Sequence, residues 1–213
     1  MQIKIFYFND LRVCTYLLWD DTGECVIVDA GCGNENECTR LQKFITNHQL
    51  KPVMLLNTHG HFDHTMGNAF LTKTYNIKSY MHAGDKGWLA QTVEIAANYG
   101  YKVENPPSAD NLEDGQIIRF GQSQLQVLHT PGHSKGSVCF YAPDNHFILT
   151  GDLLFQGCIG RTDLPGGDYD EITESLLKKI IPLPENTVVY PGHGPATTIH
   201  DEKFKNPFIV DML

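Results

Sequence analysis

Four strand-like apolar runs in the sequence each end in a short polar motif that glycine or proline brackets. The motifs are "THGHFDH" at residues 58–64, "TPGHSKGS" with His133, "LTGDLLF" with Asp152 and "VYPGHGP" with His193. Loops that leave the edge of a rigid sheet commonly carry functional side chains. We therefore expect an α/β fold whose sheets bring the four motifs together at one edge.

Hydrophobic periodicity and turn residues predict strands over 3–8, 13–19 and 24–29. A helix over 36–48 and a buried strand over 52–56 follow. The remaining predicted elements are helices over 65–75, 85–98 and 169–180 and strands over 78–82, 116–120, 124–128, 137–141, 146–149 and 187–190. This order predicts two sheets sandwiched between helices, in a single domain over 1–213.

The composition argues against several classes of function. The formal net charge is -9 and Lys and Arg form no cluster, so a surface that binds nucleic-acid phosphates is not expected. No apolar stretch approaches the roughly 20 residues that cross a bilayer, and the first residues do not resemble a signal peptide. Six cysteines without C-x-x-C spacing suit reduced thiols. We expect a cytoplasmic protein without a membrane or nucleic-acid partner, and the oligomeric state stays open.

The polar motifs supply more metal-ligand side chains than one ion needs. A catalytic zinc usually takes three protein ligands and keeps a position for water, so seven donors suit a pair of ions. The other five histidines occur singly, and we leave them out of the site. The seven candidate ligands are His59, His61, Asp63, His64, His133, Asp152 and His193.

The spacing within "HGHFDH" divides these donors into two groups. Residues two apart in an extended segment face the same side, so His59 and His61 can bind one ion together. Asp63 and His64 lie at the bend beyond, where they can turn toward a second ion. The motif therefore predicts two half-sites within one turn of chain.

The three later motifs would complete the two half-sites. We expect His133 to join the first group, His193 to join the second and the Asp152 carboxylate to bridge the two ions. Imidazole and carboxylate ligands favour zinc, and they also accept iron, manganese or nickel. The predicted cofactor is thus a pair of divalent ions, with zinc as the first choice.

The pattern H-x-H-x-D-H, followed by a distant His, an Asp and a final His, resembles the signature of the metallo-β-lactamase superfamily. Within it, "TPGHSKGS", "TGDLLF", "GRTDLPGGD" and "VYPGHGPATTI" are similar to the glyoxalase II-like branch of hydroxyacylglutathione hydrolases and related thioester hydrolases. The resemblance covers nearly the whole chain. It implies a four-layer αββα sandwich with the metals at one edge of the paired sheets, and the same assignment of ligands.

The resemblance also implies a mechanism and a partner. A hydroxide shared by two ions would attack a small-molecule thioester and release a hydroxy acid and a free thiol, while Asp63 orients or deprotonates the water. Asp29, in "VDAGCG", matches an acid that orients a ligand histidine in family members. Arg161, in "GCIGRTD", lies where the family places a basic glutathione contact, so we expect it to bind an anionic part of the substrate.

Two departures from the branch leave the thiol carrier open. Full-length glyoxalase II has a C-terminal helical segment whose basic residues hold the glutathione carboxylates. This sequence ends at residue 213, soon after the last ligand motif, so we expect that clamp to be missing. The branch also places a tyrosine two residues beyond its last ligand histidine, where this chain has Pro195.

Other activities of the superfamily compete with thioester hydrolysis. Persulfide dioxygenases share the "HxHxDH" and "GRTD" features but use one iron, and their last motif typically reads P-A-H-D-Y, whereas this chain has "PGHGP". That difference favours the dinuclear hydrolase. The ligand residues alone do not separate a thioester hydrolase from a lactonase or a true β-lactamase.

Overall fold

Two six-stranded sheets face each other in the computed structural model, which describes residues 1–213. In the first sheet, β1 to β3 pair antiparallel and β3 to β6 pair parallel. Its strands, in spatial order, are β1 (Gln2–Phe8), β2 (Val13–Trp19), β3 (Glu24–Val28), β4 (Lys51–Leu56), β5 (Ser79–His82) and β6 (Asp110–Leu112).

The second sheet is also mixed. Its strands, in spatial order, are β14 (Thr197–Thr198), β13 (Val188–Pro191), β10 (Phe147–Gly151), β9 (Val138–Ala142), β8 (Ser123–His129) and β7 (Ile117–Phe120). Strands β8 and β10 both pair antiparallel with β9, and β10 pairs parallel with β13. Strands β8, β10 and β13 therefore run in one direction. A separate hairpin joins β11 (Leu154–Phe155) to β12 (Cys158–Ile159).

Helices cover the outer face of each sheet. They are α1 (Glu35–Asn47), α2 (Phe62–Thr65), α3 (Asn68–Tyr75), α4 (Lys86–Leu89), α5 (Thr92–Asn98), α6 (Tyr169–Ser175), α7 (Ile199–Lys205) and α8 (Pro207–Met212). Helices α1 and α3 pack on the first sheet through one apolar cluster, and α6, α7 and α8 pack on the second through another. The four-layer αββα sandwich expected from the sequence is confirmed. No helix is both long and apolar enough to cross a bilayer.

The main core lies between the sheets, and strand periodicity builds it. In β2, Tyr16 and Leu18 face the second sheet, while Leu17 faces the outer helices. Side chains alternate between the faces of a strand, so a strand buried on both faces is apolar throughout. Phe140 of β9 is fully buried in the same inter-sheet cluster.

Two predicted helices are broken in the structure. The helix expected over 65–75 begins earlier, at Phe62, and is interrupted at residues 66–67. The Gly67 N–H donates to the Ala30 carbonyl at 2.7 Å, and a Cβ on Gly67 would lie 2.3 Å from Cys32 Sγ. The chain therefore changes direction there to pass close to the segment after β3. The early start places the aspartate and last histidine of "HGHFDH" in α2.

The helix predicted over 85–98 is also two helices, α4 and α5. Thr92 is fully buried at the start of α5, and its hydroxyl lies 2.9 Å from that of Thr65 in α2. This tertiary contact sets the position of α5 independently of α4. Sequence periodicity also missed the short strands β6, β11, β12 and β14 and the C-terminal helices α7 and α8.

Replacing Phe140 by alanine should lower the free energy of unfolding by about 3–5 kcal/mol, because it leaves a cavity between the sheets. Ile117→Ala is a matched control, since Ile117 is 38% exposed on β7 and its loss should cost well under half as much. Urea denaturation followed by tryptophan fluorescence measures both. Equal losses in the two variants would contradict the placement of the core.

Candidate functional site

The seven candidate ligands meet at one edge of the paired sheets. The "THGHFDH" segment follows β4, and the other three motifs follow β8, β10 and β13. Two backbone contacts join the sheets at this edge: the Val138 N–H donates to the Thr58 carbonyl at 2.8 Å, and the Cys14 N–H donates to the Gly192 carbonyl at 2.7 Å. Strand direction and these contacts bring together residues more than 100 positions apart.

The first group contains His59, His61 and His133, whose ligand atoms lie within 4.8 Å of one another. Their rings are nearly perpendicular, with centroids 4.7–4.9 Å apart. His133 Nε2 lies 3.0 Å from His61 Nδ1, and the buried His59 Nε2 has no hydrogen-bond partner. Three imidazoles whose nitrogen atoms converge, with His59 Nε2 left without a hydrogen-bond partner, suit a shared cation.

The second group contains Asp63, His64 and His193. His193 Nε2 lies 3.3 Å from His64 Nε2 and 3.2 Å from Asp63 Oδ2. The distance from His64 Nε2 to Asp63 Oδ2 is 3.6 Å. Two imidazoles and a carboxylate thus direct their ligand atoms at one point.

Asp152 lies between the two groups. Its Oδ2 is 3.8 Å from His133 Nε2 and 3.7 Å from His193 Nε2, and its Oδ1 is 3.5 Å from His64 Nε2. The buried Oδ1 atom has no hydrogen-bond partner. A carboxylate with an unsatisfied oxygen, facing both groups, fits the bridging position expected from the sequence.

The electrostatics of the first group favour neutral imidazole, the form that binds a metal. Burial, helped by the neighbouring His133, lowers the pKa of His61 to about 4. Burial and the nearby histidines hold the pKa of His59 well below its usual value. Both rings are therefore unprotonated at neutral pH.

The second group concentrates negative charge around a buried imidazole. Burial lowers the pKa of His64, but the carboxylates of Asp63, Asp152 and Asp29 outweigh burial and raise this pKa to about 10. Burial also opposes ionisation of Asp63, but His64 and His193 outweigh it and lower the pKa of Asp63 to about 2. The carboxylates that stabilise this proton would also attract a divalent cation, which would displace the proton from the His64 ring on binding.

Asp29 orients the His64 ring through a contact with its Nδ1 atom. It is 1% exposed and accepts three hydrogen bonds: from the Thr58 N–H at 2.7 Å, from the Thr58 hydroxyl at 2.6 Å and from His64 Nδ1 at 2.9 Å. The bond to Nδ1 leaves His64 Nε2 facing the second group. Asp29, His59 and His64 also lie within ligand distance of one another, but the Asp29 oxygens are already engaged by these donors.

Backbone carbonyls orient two more histidines. His133 Nδ1 lies 2.9 Å from the Arg161 carbonyl, and His193 Nδ1 lies 2.9 Å from the Leu11 carbonyl. A carbonyl only accepts, so Nδ1 carries the proton in each ring and Nε2 presents its lone pair to the site.

The Arg161 side chain is already paired. Its Nε and Nη2 donate to the two oxygens of Asp163, each at 2.7 Å, and both side chains are exposed. The resemblance of "GCIGRTD" to the family motif predicts that this guanidinium binds an anionic group of the substrate. In the structure its charge is balanced within the chain, and the Arg161 carbonyl is the part that contacts a candidate ligand.

Sequence reasoning missed Asp85, which connects the two loops of the first group. This fully buried carboxylate accepts from the Gly60 N–H at 2.8 Å, the Ser134 hydroxyl at 2.6 Å and the Gly136 N–H at 2.7 Å. Gly60 lies between the first two candidate ligands, and Ser134 follows the third. The only signal in the sequence is an acid placed after a predicted strand, and the helix predicted over 85–98 begins at that residue.

A cavity of about 310 Å³ opens beside the two groups. Four candidate ligands line it: His61, Asp63, His133 and Asp152. Six apolar side chains form the walls: Leu11, Phe62, Trp88, Ile95, Tyr99 and Leu164. Arg161 is its one cationic lining residue. A molecule in this cavity would contact donors from both groups at once.

Comparisons with known proteins give matches along most of the chain. The family model described as Metallo-beta-lactamase superfamily matches residues 9–193. The chain is 37% identical over 196 residues to the Probable metallo-hydrolase YqgX of Bacillus subtilis, covering 91% of this chain and 90% of that protein. It is 33% identical over 212 residues to the hydroxyacylglutathione hydrolase GloC of Haemophilus influenzae, covering 98% of each.

Two solved structures are similar along almost their whole length. BLEG-1 B3 metallo-beta-lactamase has a TM-score of 0.89 and 36% identity, covering 98% of this chain and 99% of that chain. TTHA1623, crystallised in a di-iron-bound form, has a TM-score of 0.85 and 37% identity, covering 96% of this chain and 99% of that chain.

Replacing Asp85 by asparagine should weaken metal binding at the first group by roughly 10–100-fold, the usual effect of losing a hydrogen-bond partner of ligand segments. The amide can no longer accept from Gly60, Ser134 and Gly136 together. Chelator competition followed by metal analysis measures the change. Asp144→Asn, which removes an exposed carboxylate at the far end of β9, should leave affinity unchanged. Unchanged affinity in the Asp85 variant would contradict its assignment as a positioning residue.

Proposed function

The chain belongs to the metallo-beta-lactamase superfamily, and on this premise we propose that it is a dinuclear metal-dependent thioester hydrolase of the glyoxalase II type. One observation carries the proposal: the cavity exposes candidate ligands of both groups, so one substrate can reach two ions. The similarity to hydroxyacylglutathione hydrolase GloC supports a thioester as the bond that is cleaved.

His59, His61 and His133 would hold the first ion, and Asp63, His64 and His193 would hold the second, with Asp152 available to both. Zinc is the expected metal. Iron is the alternative, because the same ligand types accept it and TTHA1623 has a di-iron-bound form. Bound divalent ions would lower the pKa of a water molecule toward about 7 and polarise a carbonyl oxygen.

Side chains of this chain position the reactants. Asp63 and Asp152 line the cavity and can accept hydrogen bonds from an attacking water, which orients its lone pair toward a carbonyl carbon. Asp29 and the carbonyls of Leu11 and Arg161 hold the ligand rings in fixed orientations. The apolar walls reduce the water around the thioester, which strengthens electrostatic interactions in the site.

A second hydrolytic activity has its own supporting observation. BLEG-1, with 36% identity and nearly complete mutual coverage, is a B3 metallo-beta-lactamase. Opening a β-lactam or lactone ring needs the same attack on a carbonyl carbon, so these rings are the competing substrates. Hydrolysis rates measured on matched panels of thioesters, lactones and β-lactams rank the three substrate classes. We expect thioesters to be hydrolysed fastest.

A mononuclear iron dioxygenase is the remaining alternative, and one observation disfavours it. Such a site would leave the last histidine without a metal. Here His193 Nε2 lies within 3.3 Å of both His64 Nε2 and Asp63 Oδ2. This arrangement favours a second ion.

His59→Ala and His193→Ala should each lower kcat/KM for S-D-lactoylglutathione and for an aryl thioester by at least about a hundredfold, with metal content falling in parallel. Each variant removes a ligand from a different half-site. Steady-state kinetics and metal analysis of the same preparations test this. His200→Ala is the matched control, since that exposed ring pairs with Glu185 outside the site, and it should retain full activity. Full activity in a metal-depleted His193→Ala protein would refute the dinuclear mechanism.

A further inference from the structure

We propose that the substrate group bound in the cavity is apolar, preferably aromatic, and carries no carboxylate. The preferred substrates are then thioesters with an uncharged thiol part, and glutathione thioesters are poor ones. This inference rests on the proposed thioester hydrolysis and narrows its substrate class. Three features of the cavity support it: its walls, its exposed rim and its charges.

The walls present flat aromatic surfaces. The rings of Phe62 and Tyr99 stack with centroids 4.7 Å apart and an angle of 26°. Trp88 contacts the His61 ring edge to face, with centroids 5.1 Å apart, so it lies directly beside a candidate ligand. An aromatic or aliphatic group can pack on these faces while its thioester carbonyl reaches the floor.

The rim exposes apolar surface to solvent. Tyr99 is 59% exposed and Leu11 is 43% exposed, and they line the cavity from different segments of the chain. Large apolar side chains left in water at the mouth of a cavity mark a binding surface when they adjoin a site. An apolar ligand would bury both.

The cavity walls offer a substrate carboxylate no unpaired cationic side chain. Arg161 is the one cationic side chain in the lining, and Asp63 and Asp152 on the floor serve as ligands in the proposed dinuclear site. Arg161 donates two hydrogen bonds to the Asp163 carboxylate, which offsets its positive charge. A substrate carboxylate would have to displace Asp163 or lie beside it. Glutathione carries two carboxylates, and neither meets an unpaired cationic side chain in this lining.

Thioesters of one acid with three thiols test the proposal: phenylacetyl esters of benzyl mercaptan, N-acetylcysteamine and glutathione. We expect kcat/KM to fall in that order, with the glutathione ester at least about tenfold below the benzyl ester. Tyr99→Ala should lower kcat/KM for the benzyl ester about tenfold and for the glutathione ester less than twofold. Tyr169→Ala removes a tyrosine of similar exposure, 54%, outside the cavity and should change neither.

Asp163→Asn should raise kcat/KM for the glutathione ester about fivefold, because it frees the charge of Arg161, and leave the benzyl ester unchanged. Asp144→Asn removes an equal charge at the far end of β9 and should have no effect. Preference for the glutathione ester in the unaltered protein would overturn the proposal. So would an Asp163→Asn protein with unchanged selectivity.

Binding of the corresponding thioethers, which cannot be hydrolysed, separates this inference from the proposed function. Isothermal titration calorimetry should give affinities that fall from the benzyl to the N-acetylcysteamine to the glutathione thioether. Tyr99→Ala should weaken binding of the benzyl thioether more than binding of the glutathione thioether. If no thioester is hydrolysed but that order holds, thioester hydrolysis is wrong and the apolar specificity of the cavity stands. If thioesters are hydrolysed with the glutathione ester preferred, the proposed function stands and the apolar specificity is wrong.

Discussion

Strand direction is the constraint on which the site depends. In the first sheet β3, β4 and β5 run parallel, so Asp29, the 58–64 segment and Asp85 all follow strand ends at one edge. In the second sheet β8, β10 and β13 share a direction, so their following loops emerge together. Packing the sheets face to face then brings the two sets of loops into contact. No single segment contains enough ligands for two ions, so loops from both sheets must contribute them.

Buried carboxylates keep these loops in place. Asp29 and Asp85 are almost completely inaccessible, and each accepts three hydrogen bonds from loops that carry candidate ligands. A buried charge without partners is costly, so the loops are stable only when they present their donors to these oxygens. The same bonds that satisfy the carboxylates therefore fix the positions of the histidines. This explains how a site made from loops can be rigid.

Much of this could be predicted from sequence, and the misses have physical causes. The density of ligand residues in "HGHFDH", the motifs at strand ends and the order of strands and helices are local sequence patterns. They predict two sheets between helices and the candidate ligands, and the family resemblance specifies the four-layer αββα sandwich. The break at Gly67 depends on a close approach to Cys32 Sγ, and Asp85 acts through donors about 25 and 50 positions away. Periodicity contains no information on such contacts. The pairing of Arg161 with Asp163 is local, but sequence cannot distinguish it from a free cation.

The substrate hypothesis and the metal hypothesis depend on different parts of the site. We propose that the cavity walls and the Arg161–Asp163 pair select the substrate, whereas the two ligand groups supply the chemistry. The central claim is that these groups hold two ions joined through Asp152. Anomalous diffraction at the metal absorption edges, from crystals of the purified protein, tests it most directly. Two peaks are predicted, one at each ligand group, with Asp152 contacting both; a single peak at the first group, with His193 unligated, would contradict the claim.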